Sequence, residues 1–284
     1  MHELRQKHPL ATLLQIAGLA RSTYHYQRRL RDQPDRDVEL KSRVRAVFEA
    51  HAGRYGYRRV TAALRNEGLP VNHKAVQRVM GEMGLRSCVR PKKYRAWHGD
   101  VGCAAPDLLQ RCFAADAPNR KWVTDVTEFN VKGRKLYLSP VLDLYNGEII
   151  AYETAERPAF ELVGNMLKKA LSGLGVGERP LLHSDQGWHY RIPAWRRLLA
   201  SRALTQSMSR KGNCLDNAAM ESFFATLKSE FFHPQHFENI DQLRTGIDRY
   251  VHYYNHERIK LKLKGLSPVQ YLSLIHISEP TRPE

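Results

Sequence analysis

Cysteine is scarce in this sequence, and no long apolar run occurs anywhere in it. None of the four cysteines, Cys88, Cys103, Cys112 and Cys214, forms a CxxC pair, and none is matched with histidines at zinc-finger spacing. Four cysteines in 284 residues do not make a disulfide framework, so a reducing compartment is expected. No segment approaches a membrane span, and the first residues lack a secretory signal pattern. These absences predict a soluble, cytoplasmic protein with no membrane partner.

Acidic residues are also scarce, and most of the imbalance lies near the N-terminus. The formal net charge is +16. Up to Arg95 there are 21 basic and 8 acidic residues, whereas the rest of the chain carries 24 and 21. A strongly basic region favours a polyanionic partner, because summed positive charge attracts phosphate backbones. The first third is therefore the expected electrostatic contact with nucleic acid.

The region from Val44 to Leu85 predicts three helical segments. The second runs from about Arg58 to Glu67 and is stopped by a glycine and a proline, and Asn72 can cap the third. In that third segment the apolar residues fall on one face and the polar ones on the other. The apolar face consists of Val76, Val79, Met80 and Met83, and the polar face of His73, Lys74, Gln77 and Arg78.

This layout is typical of a helix-turn-helix, whose second helix enters the major groove of DNA. The alternative is an ordinary helical hairpin with a solvated basic face. The DNA-binding interpretation is favoured because the basic stretch that follows, with Lys92 and Lys93, can contact phosphates. We therefore predict an N-terminal helical segment over 1–37, a helix-turn-helix DNA-binding domain over 38–95 and a linker over 96–117.

The character of the sequence changes after the linker. Three Val-, Ile- and Thr-rich runs separated by turn signals predict an antiparallel meander, with strands over 122–129, 136–144 and 148–154. Helical and strand patterns then alternate, which predicts an α/β fold with a mixed sheet flanked by helices. The expected later strands are 180–185 and 205–209, and the expected helices are 159–171, 192–204 and 214–232. Residues 233–272 are predicted to form a helical extension.

Three acidic residues lie where a carboxylate is unexpected. Asp125 is predicted in the middle of the first strand, Asp185 ends a later strand, and Glu221 lies close to the apolar face of a helix. Taken singly, each has a simpler explanation: a strand-edge charge, a helix cap or turn residue, and a solvated helix residue. Taken together, they predict a shared site, because the carboxyl ends of strands in an α/β sheet cluster and bind ligands there.

Carboxylates that converge repel one another unless cations neutralise them. Mg²⁺ prefers oxygen ligands and commonly combines carboxylates with substrate phosphates. Two such ions roughly 3.5–4 Å apart stabilise the attacking and leaving oxygens of an in-line phosphoryl transfer. An acidic site within a basic chain therefore favours phosphodiester chemistry on DNA.

Three blocks of the sequence resemble the signature blocks of the DDE transposases in the retroviral integrase superfamily: "WVTDVTEF", "HSDQGWHY" and "NAAMESFFATLKSE". The 35 residues between Asp185 and Glu221 match the spacing of that group. Further segments, among them "SRKGNCLDNAAMESFF" and "YNHERIKLKLKGLSPVQYL", resemble the second reading-frame product (OrfB) of the IS-three family of bacterial insertion sequences. The resemblance covers the chain to about Leu272.

The resemblance implies an RNase H-like catalytic core over 118–232. Its catalytic and metal-binding carboxylates would be Asp125, Asp185 and Glu221, with Mg²⁺ as the cofactor and Mn²⁺ as an alternative. Lys228, seven residues after Glu221, would contact DNA. Asn217, one turn before Glu221, would orient it or touch DNA, and a purely structural role is equally consistent with the sequence.

The implied function is metal-dependent DNA strand cleavage and strand transfer at insertion-sequence ends. The implied partners are double-stranded DNA (terminal inverted repeats and target DNA), further copies of the chain assembled on that DNA, and OrfA, as a separate protein or a frameshift fusion. Work on DNA implies association with the bacterial nucleoid. The alternatives are a non-catalytic DNA-binding regulator with an integrase-like fold and an RNase H-type nuclease.

Two departures from the resemblance stand out. Retroviral integrases open with a His/Cys zinc domain, whereas a basic helical segment stands there in this chain. At the other end, "SLIHISEPTRPE" does not continue the family pattern and resembles translated sequencing-adapter DNA. Residues 273–284 are therefore predicted to be a non-native tail.

Two residues beside Asp185 leave alternatives open. His183 lies two residues earlier, on the same side of the predicted strand, and would support the site or simply fill the core. The latter is the more common fate of such a histidine. Gly187 is expected to let the chain turn at the rim of the site.

Overall fold

A helical N-terminal region precedes a six-stranded mixed sheet with helices on both faces. The computed structural model describes residues 6–32, 37–88, 105–210 and 214–278. The helices are α1 Leu10–Ile16, α2 Arg21–Asp32, α3 Val38–Ala50, α4 Tyr57–Asn66, α5 His73–Glu82, α6 Phe160–Ser172, α7 Pro193–Ala200, α8 Ala218–Leu227, α9 Ile240–His256 and α10 Pro268–Ser278. The strands are β1 Lys121–Thr124, β2 Thr127–Val131, β3 Arg134–Asp143, β4 Ile149–Ala155, β5 Leu181–Ser184 and β6 Thr205–Met208.

The predicted helix-turn-helix is formed by α4 and α5, with α3 packed across both. Its core is small and apolar, and Val44, Val60 and Val76 within it are fully buried. The predicted cap of α5 is confirmed, because the Asn72 side chain accepts a hydrogen bond from the Lys74 backbone N–H at 2.9 Å. This cap fixes where α5 begins.

The sheet combines the predicted meander with a parallel half. β3 pairs antiparallel with β1 and β2 along one side and with β4 along the other. β5 pairs parallel with β1, and β6 pairs parallel with β5. The mixed α/β architecture expected from the sequence is confirmed, and the carboxyl ends of β1, β5 and β6 lie at one edge.

Each face of the sheet is covered by its own pair of helices. α6 and α7 bury Met166, Leu167 and Trp195 against one face, together with Trp122. α8 and α9 pack against the other face around Val123. Alternate residues of β1 therefore enter opposite cores, as the period-2 geometry of a strand requires. The sheet is held rigidly between two apolar layers.

The prediction that Asp125 lies within one continuous strand is wrong. The strand breaks there, into β1 and β2, although both halves keep the same pairing register with β3. That register places Pro140 of β3 opposite Asp125, and proline has no N–H to donate to the ladder. Thr124 instead donates its hydroxyl to the Pro140 carbonyl at 2.8 Å. The break leaves Asp125 directly after the carboxyl end of β1, between the two strand segments.

The single helix predicted over 214–232 is three joined pieces. A 3₁₀ turn, Cys214–Asn217, leads into α8, and a π-helical turn, Lys228–Phe232, follows it. π-Helical turns within helices are frequent at functional sites. The helix α10 begins within the predicted helical extension and continues into the segment expected to be a non-native tail, whose residues from 279 on lie outside the described part.

The predicted linker is described from Ala105 onward, and there it packs against the core. It has no helix or strand, but Leu109 is buried and Met208 of β6 donates its backbone N–H to the Pro106 carbonyl at 3.2 Å. This segment therefore lies along the outer edge of β6. Among the described helices, none is long and apolar enough to cross a membrane.

The helix-turn-helix unit also contacts the C-terminal extension. Ile259 packs into the core of that unit and donates its backbone N–H to the Tyr55 hydroxyl at 2.8 Å. Asn66 at the end of α4 donates to the Gly265 carbonyl at 2.8 Å. These contacts attach the N-terminal helices to the chain that follows α9.

Candidate active site

Asp125 and Asp185 occupy equivalent positions on neighbouring parallel strands. In the register of β1 and β5, Trp122 pairs with Leu182 and Val123 with His183. Continued past the ends of both strands, this register brings Asp125 beside Asp185. Neighbouring strands lie about 4.7–4.9 Å apart, so the two residues lie close together at the edge of the sheet where β1 and β5 end. The prediction that strand ends bring these residues together agrees with this register.

Asp125 is half-buried, and its carboxyl group is held close to the backbone. Its Oδ1 accepts the Val126 N–H at 2.7 Å. Burial, followed by the negative charges of Asp185 and Glu221, raises the pKa of Asp125 to about 8, against the opposing effects of the Val126 N–H and Lys228. Such a shift is typical of a buried carboxyl group that has other carboxylates nearby.

Asp185 begins a tight turn that leads into α7. Its Oδ1 accepts the Gly187 N–H at 2.9 Å. A Cβ atom at position 187 would lie 2.9 Å from that same oxygen and 3.1 Å from Nε2 of His189. The φ of Gly187 is −53°, which any residue can adopt, so glycine is needed here for space. The chain turns at Gly187 as expected, but the reason for glycine there is the space beside Asp185 and His189 and not a special backbone conformation.

Glu221 lies in the first turn of α8 and is exposed to solvent. It is near enough to Asp125 to raise that residue's pKa. Within the described residues, however, no three His, Cys, Asp or Glu side chains are close enough to hold a metal ion together. The structure therefore gathers the three acidic residues in one region, with Glu221 on its solvent side.

Asn217 connects α8 to β1. It is buried, and its Nδ2 donates to the Thr124 carbonyl at 3.4 Å, directly before Asp125. Its Oδ1 is buried without a hydrogen-bond partner among the described residues. Burial favours the role of positioning Glu221 relative to Asp125 over a contact with DNA.

Lys228 lies where α8 gives way to the π-helical turn, on the same side of the molecule as the acidic residues. Its Nζ is 5.3 Å from the centre of the Phe129 ring. Burial lowers the pKa of Lys228, against the opposing charges of Glu128 and Asp125. The ammonium group thus lies within electrostatic range of Asp125, and its predicted contact with DNA stays a prediction.

Two residues beneath the site have clear structural roles. Tyr190, not anticipated from the sequence, is fully buried, and burial together with Asp125 and Asp185 raises its pKa well above the usual range. His183 is buried with Nδ1 2.8 Å from the Ser207 hydroxyl, which also accepts the backbone N–H groups of Leu108 and Leu109. Because both lone pairs of that hydroxyl already accept backbone N–H groups, its hydrogen is donated to Nδ1 of His183, whose role is to join β5 and β6.

The polar face of α5 is exposed as predicted. His73, Lys74, Gln77 and Arg78 all face solvent, opposite the buried Val76, Val79 and Met80. Arg78 is not a free cation, because it pairs with Asp37 at 2.8 Å and with Glu82 at 2.7 Å. Lys92 and Lys93 lie outside the described residues. The surface available on α5 therefore centres on Lys74 and Gln77.

The raised pKa of Asp125 predicts how stability depends on pH in metal-free solution. Between the ordinary carboxyl pKa and about 8, the folded chain binds a proton that the unfolded chain has released. The free energy of unfolding should therefore fall as pH rises through this window. Urea denaturation at several pH values should show the fall in the wild type and a flatter profile in Asp125→Asn. Identical profiles would contradict the assignment of the shift.

Comparison with known protein families shows which class of protein this chain resembles. A model of an integrase core domain matches residues 115–214, and a second integrase core model matches 221–273. A model of an HTH-like domain matches residues 35–94. The fold is thus that of an integrase core, the RNase H-like architecture expected from the sequence, preceded by an HTH-like domain.

Similar chains identify the family. InsK of insertion sequence element IS150, from Escherichia coli (strain K12), is 52% identical over 271 residues, which cover 95% of this chain and 96% of InsK. The transposase of insertion sequence element IS904 from Lactococcus lactis is 33% identical, covering 87% of this chain and 98% of that protein. The chain belongs to the IS-three family of insertion-sequence transposases.

Among solved structures, the catalytic core domain of HTLV-2 integrase in complex with magnesium (trimeric form) is similar to part of the chain. The identity is 16% and the TM-score 0.42, covering 54% of this chain and 96% of that domain. A simian T-cell lymphotropic virus intasome in complex with a PP2A regulatory subunit is similar at 18% identity and a TM-score of 0.46, covering 85% and 76%.

Proposed function

We propose that this chain is a transposase that cleaves DNA strands at insertion-sequence ends and joins the exposed 3′-hydroxyl to another phosphodiester. The observation that carries the proposal is the pairing of Asp125 and Asp185 at equivalent ends of two parallel strands, with Glu221 in electrostatic range. Family membership supports the reaction class. The basic N-terminal region supports DNA as the substrate.

The residues at this edge fit a hard divalent cation. Asp125, Asp185 and Glu221 offer carboxylate oxygens alone, the ligand type that Mg²⁺ prefers and Mn²⁺ accepts. Burial is the main cause of the raised pKa of Asp125, and the negative charges of Asp185 and Glu221 add to it; a bound cation would offset those charges. Glu221 is exposed on a long side chain, so it can approach the two aspartates when positive charge is present. When bound, two such ions stabilise the attacking and leaving oxygens of phosphoryl transfer.

The chain's own groups contribute position and charge. Asp125 and Asp185 are fixed by the sheet and by hydrogen bonds from Val126 and Gly187, so they form the rigid half of the site. Lys228 supplies an ammonium group on the same side, suited to a DNA phosphate. The buried Asn217 holds the start of α8 against β1 and so helps to set the position of Glu221.

The exposed face of α5 supports recognition of the element's terminal inverted repeats. Its polar residues lie opposite a well-packed core, as in a helix that enters the major groove. Recognition of two ends and a target implies several copies of the chain on DNA, with OrfA as a partner or fused domain. Such an assembly would work at the bacterial nucleoid.

The two cations of α5 should differ in their contribution to DNA binding. Lys74→Gln should lower the dependence of log affinity on log salt concentration by about 1, because one phosphate contact is lost. Arg78→Gln should change it less, since Asp37 and Glu82 already engage that guanidinium. Titrations of a labelled duplex at several salt concentrations would measure both slopes. A larger effect of Arg78→Gln would contradict the assignment.

One assay separates the proposed function from its alternatives. Purified chain is mixed with Mg²⁺ and a labelled duplex that carries the element's ends, and the products are resolved on a denaturing gel. Joined strands would support the transposase. Binding without cleavage would favour a non-catalytic regulator, and cleavage confined to the RNA of an RNA–DNA hybrid would favour an RNase H-type nuclease.

A further inference from the structure

Beside the acidic residues lies a second charged group, built around Asp216. This carboxylate is fully buried, and both of its oxygens are engaged by two arginines. Oδ1 accepts from Nε of Arg111 at 2.8 Å and from NH2 of Arg210 at 3.0 Å. Oδ2 accepts from the backbone N–H and Nε of Arg210, both at 3.0 Å. We name Arg111, Asp216 and Arg210 the arginine clamp.

The arginine clamp lies at the same edge of the sheet as the acidic residues. β5 and β6 pair in parallel, with Ser184 beside Met208. Continued past the strand ends, this register brings Ser209 beside Asp185, and Arg210 follows directly. Gln186 closes the same corner by donating to the Ser209 carbonyl at 3.0 Å. Asp216 is also the residue before Asn217, so the clamp adjoins the start of α8.

Arg111 is held in place at a cost in backbone conformation. Both Gln110 and Arg111 have positive φ values, 47° and 60°, which residues other than glycine rarely adopt. The turn is fixed by Asp107, whose Oδ1 accepts the Gln110 N–H at 2.9 Å, and by the buried Leu109. Strained backbone maintained by its surroundings is frequent at binding sites.

Each arginine keeps donors outside the ion pair. The contact of Arg111 with Asp216 uses Nε, which leaves the terminal NH1 and NH2 groups outside that bond. Arg210 uses Nε and NH2, which leaves NH1 outside. The side chains are 44% and 57% exposed, whereas Asp216 is inaccessible. The clamp thus presents oriented N–H groups to solvent and keeps its counter-charge beneath them.

Asp107 limits the net charge of this group, since it lies 3.6 Å from Nε of Arg210. Two arginines and two aspartates leave no formal excess of positive charge. The clamp therefore favours phosphate binding through the orientation of its guanidinium groups and not through excess charge. Guanidinium groups that are already fixed lose little entropy when they bind a phosphate bidentately.

We propose that the arginine clamp binds a backbone phosphate of the DNA strand beside the scissile position, with Arg111 as its main contact. The proposal rests on the proposed function and adds to it a site for the strand next to the acidic residues. Arg111→Gln should weaken duplex binding roughly tenfold, the usual cost of losing a charged hydrogen bond.

The test pairs protein variants with single methylphosphonate substitutions, which neutralise one phosphate at a time. Affinity of the full chain for an element-end duplex is measured without divalent cations, so that no cleavage is required. The wild type should lose affinity when one phosphate beside the cleavage position is neutralised. In Arg111→Gln that loss should disappear, because the contact is already absent. An unchanged interference profile in Arg111→Gln would overturn the proposal.

Arg202→Gln is the matched control. Arg202 precedes β6 whereas Arg210 follows it, and its NH2 donates to the Leu171 carbonyl at 2.9 Å. The Arg202→Gln chain should retain the wild-type interference profile.

Folding of the variants is checked separately. In Arg111→Gln, Arg210 still pairs with Asp216. Arg111→Lys can keep the ion pair with Asp216 while it loses the planar guanidinium group. If Arg111→Gln and Arg111→Lys both keep the wild-type interference profile, the clamp is only a structural ion pair. The binding readout separates this outcome from failure of the transposase assay.

Discussion

An Asp185→Asn chain should bind duplex DNA as the wild type does but cleave and join strands at least about a thousandfold more slowly, a loss of about 4 kcal/mol in transition-state stabilisation. The reason is that Asp185 is one of two carboxylates fixed side by side at the ends of β1 and β5. Asparagine preserves the shape of the side chain and its hydrogen bond from Gly187 but removes the negative charge needed to hold a divalent cation. Single-turnover cleavage of a labelled duplex with Mg²⁺ measures the effect.

Asp248→Asn is a suitable control for this variant. Asp248 is an exposed aspartate of α9 that accepts the Tyr152 hydroxyl at 2.8 Å, outside the group formed by Asp125, Asp185 and Glu221. It should cleave at the wild-type rate. If Asp185→Asn cleaved as fast as Asp248→Asn, the assignment of the acidic site would be wrong.

The largest effect on stability is expected from Glu230→Gln. Glu230 lies in the π-helical turn after α8 and is buried with Arg258, which donates to it at 2.6 and 2.7 Å. Tyr250 donates to it at 3.0 Å, and Arg59 of the helix-turn-helix unit lies at 3.4 Å. Removing the charge leaves Arg258 buried without its counter-ion, which costs roughly 3–5 kcal/mol. Urea denaturation would measure the loss.

The same ion pair predicts acid sensitivity. Burial alone would raise the pKa of Glu230, but the contacts with Arg258, Arg59 and Tyr250 together outweigh it, and the net shift is downward. The stabilisation is therefore present above the ordinary carboxyl pKa and is lost as pH falls through the lowered value. Glu156→Gln is the control for Glu230→Gln, because the contact of Glu156 with Arg134 is exposed and screened by solvent. Equal destabilisation by the two variants would contradict the account.

Much of the site follows from the sequence because strand ends have a fixed geometry. The sequence predicts Asp185 at the end of a short apolar strand and Asp125 within an earlier strand, and strands of an α/β sheet bring such positions toward one edge. The α5 face could be predicted for a similar reason, since helical periodicity separates Val76, Val79 and Met80 from Lys74 and Gln77.

What could not be predicted depends on contacts between distant parts of the chain. The break at Asp125 follows from Pro140 lying opposite it, which requires the β3 register. The arginine clamp joins Arg111 to Asp216, 105 residues apart, and no local pattern indicates the pair. The engagement of Arg78 by Asp37 likewise crosses between segments and reduces a contact that the sequence had favoured.

Glu221 shows where sequence spacing and geometry differ. Its separation from Asp185 predicts a third ligand, but the structure leaves it exposed on α8, within electrostatic range of Asp125. Repulsion between neighbouring carboxylates favours such separation. Completion of the site should therefore accompany cation binding.

Locating Mn²⁺ by anomalous scattering in crystals of the protein tests the central claim most directly. The account predicts an anomalous peak between the carboxylates of Asp125 and Asp185, with Glu221 drawn toward it. A saturating Mn²⁺ soak that left these carboxylates without an ion, or that placed the ion elsewhere on the chain, would contradict the account.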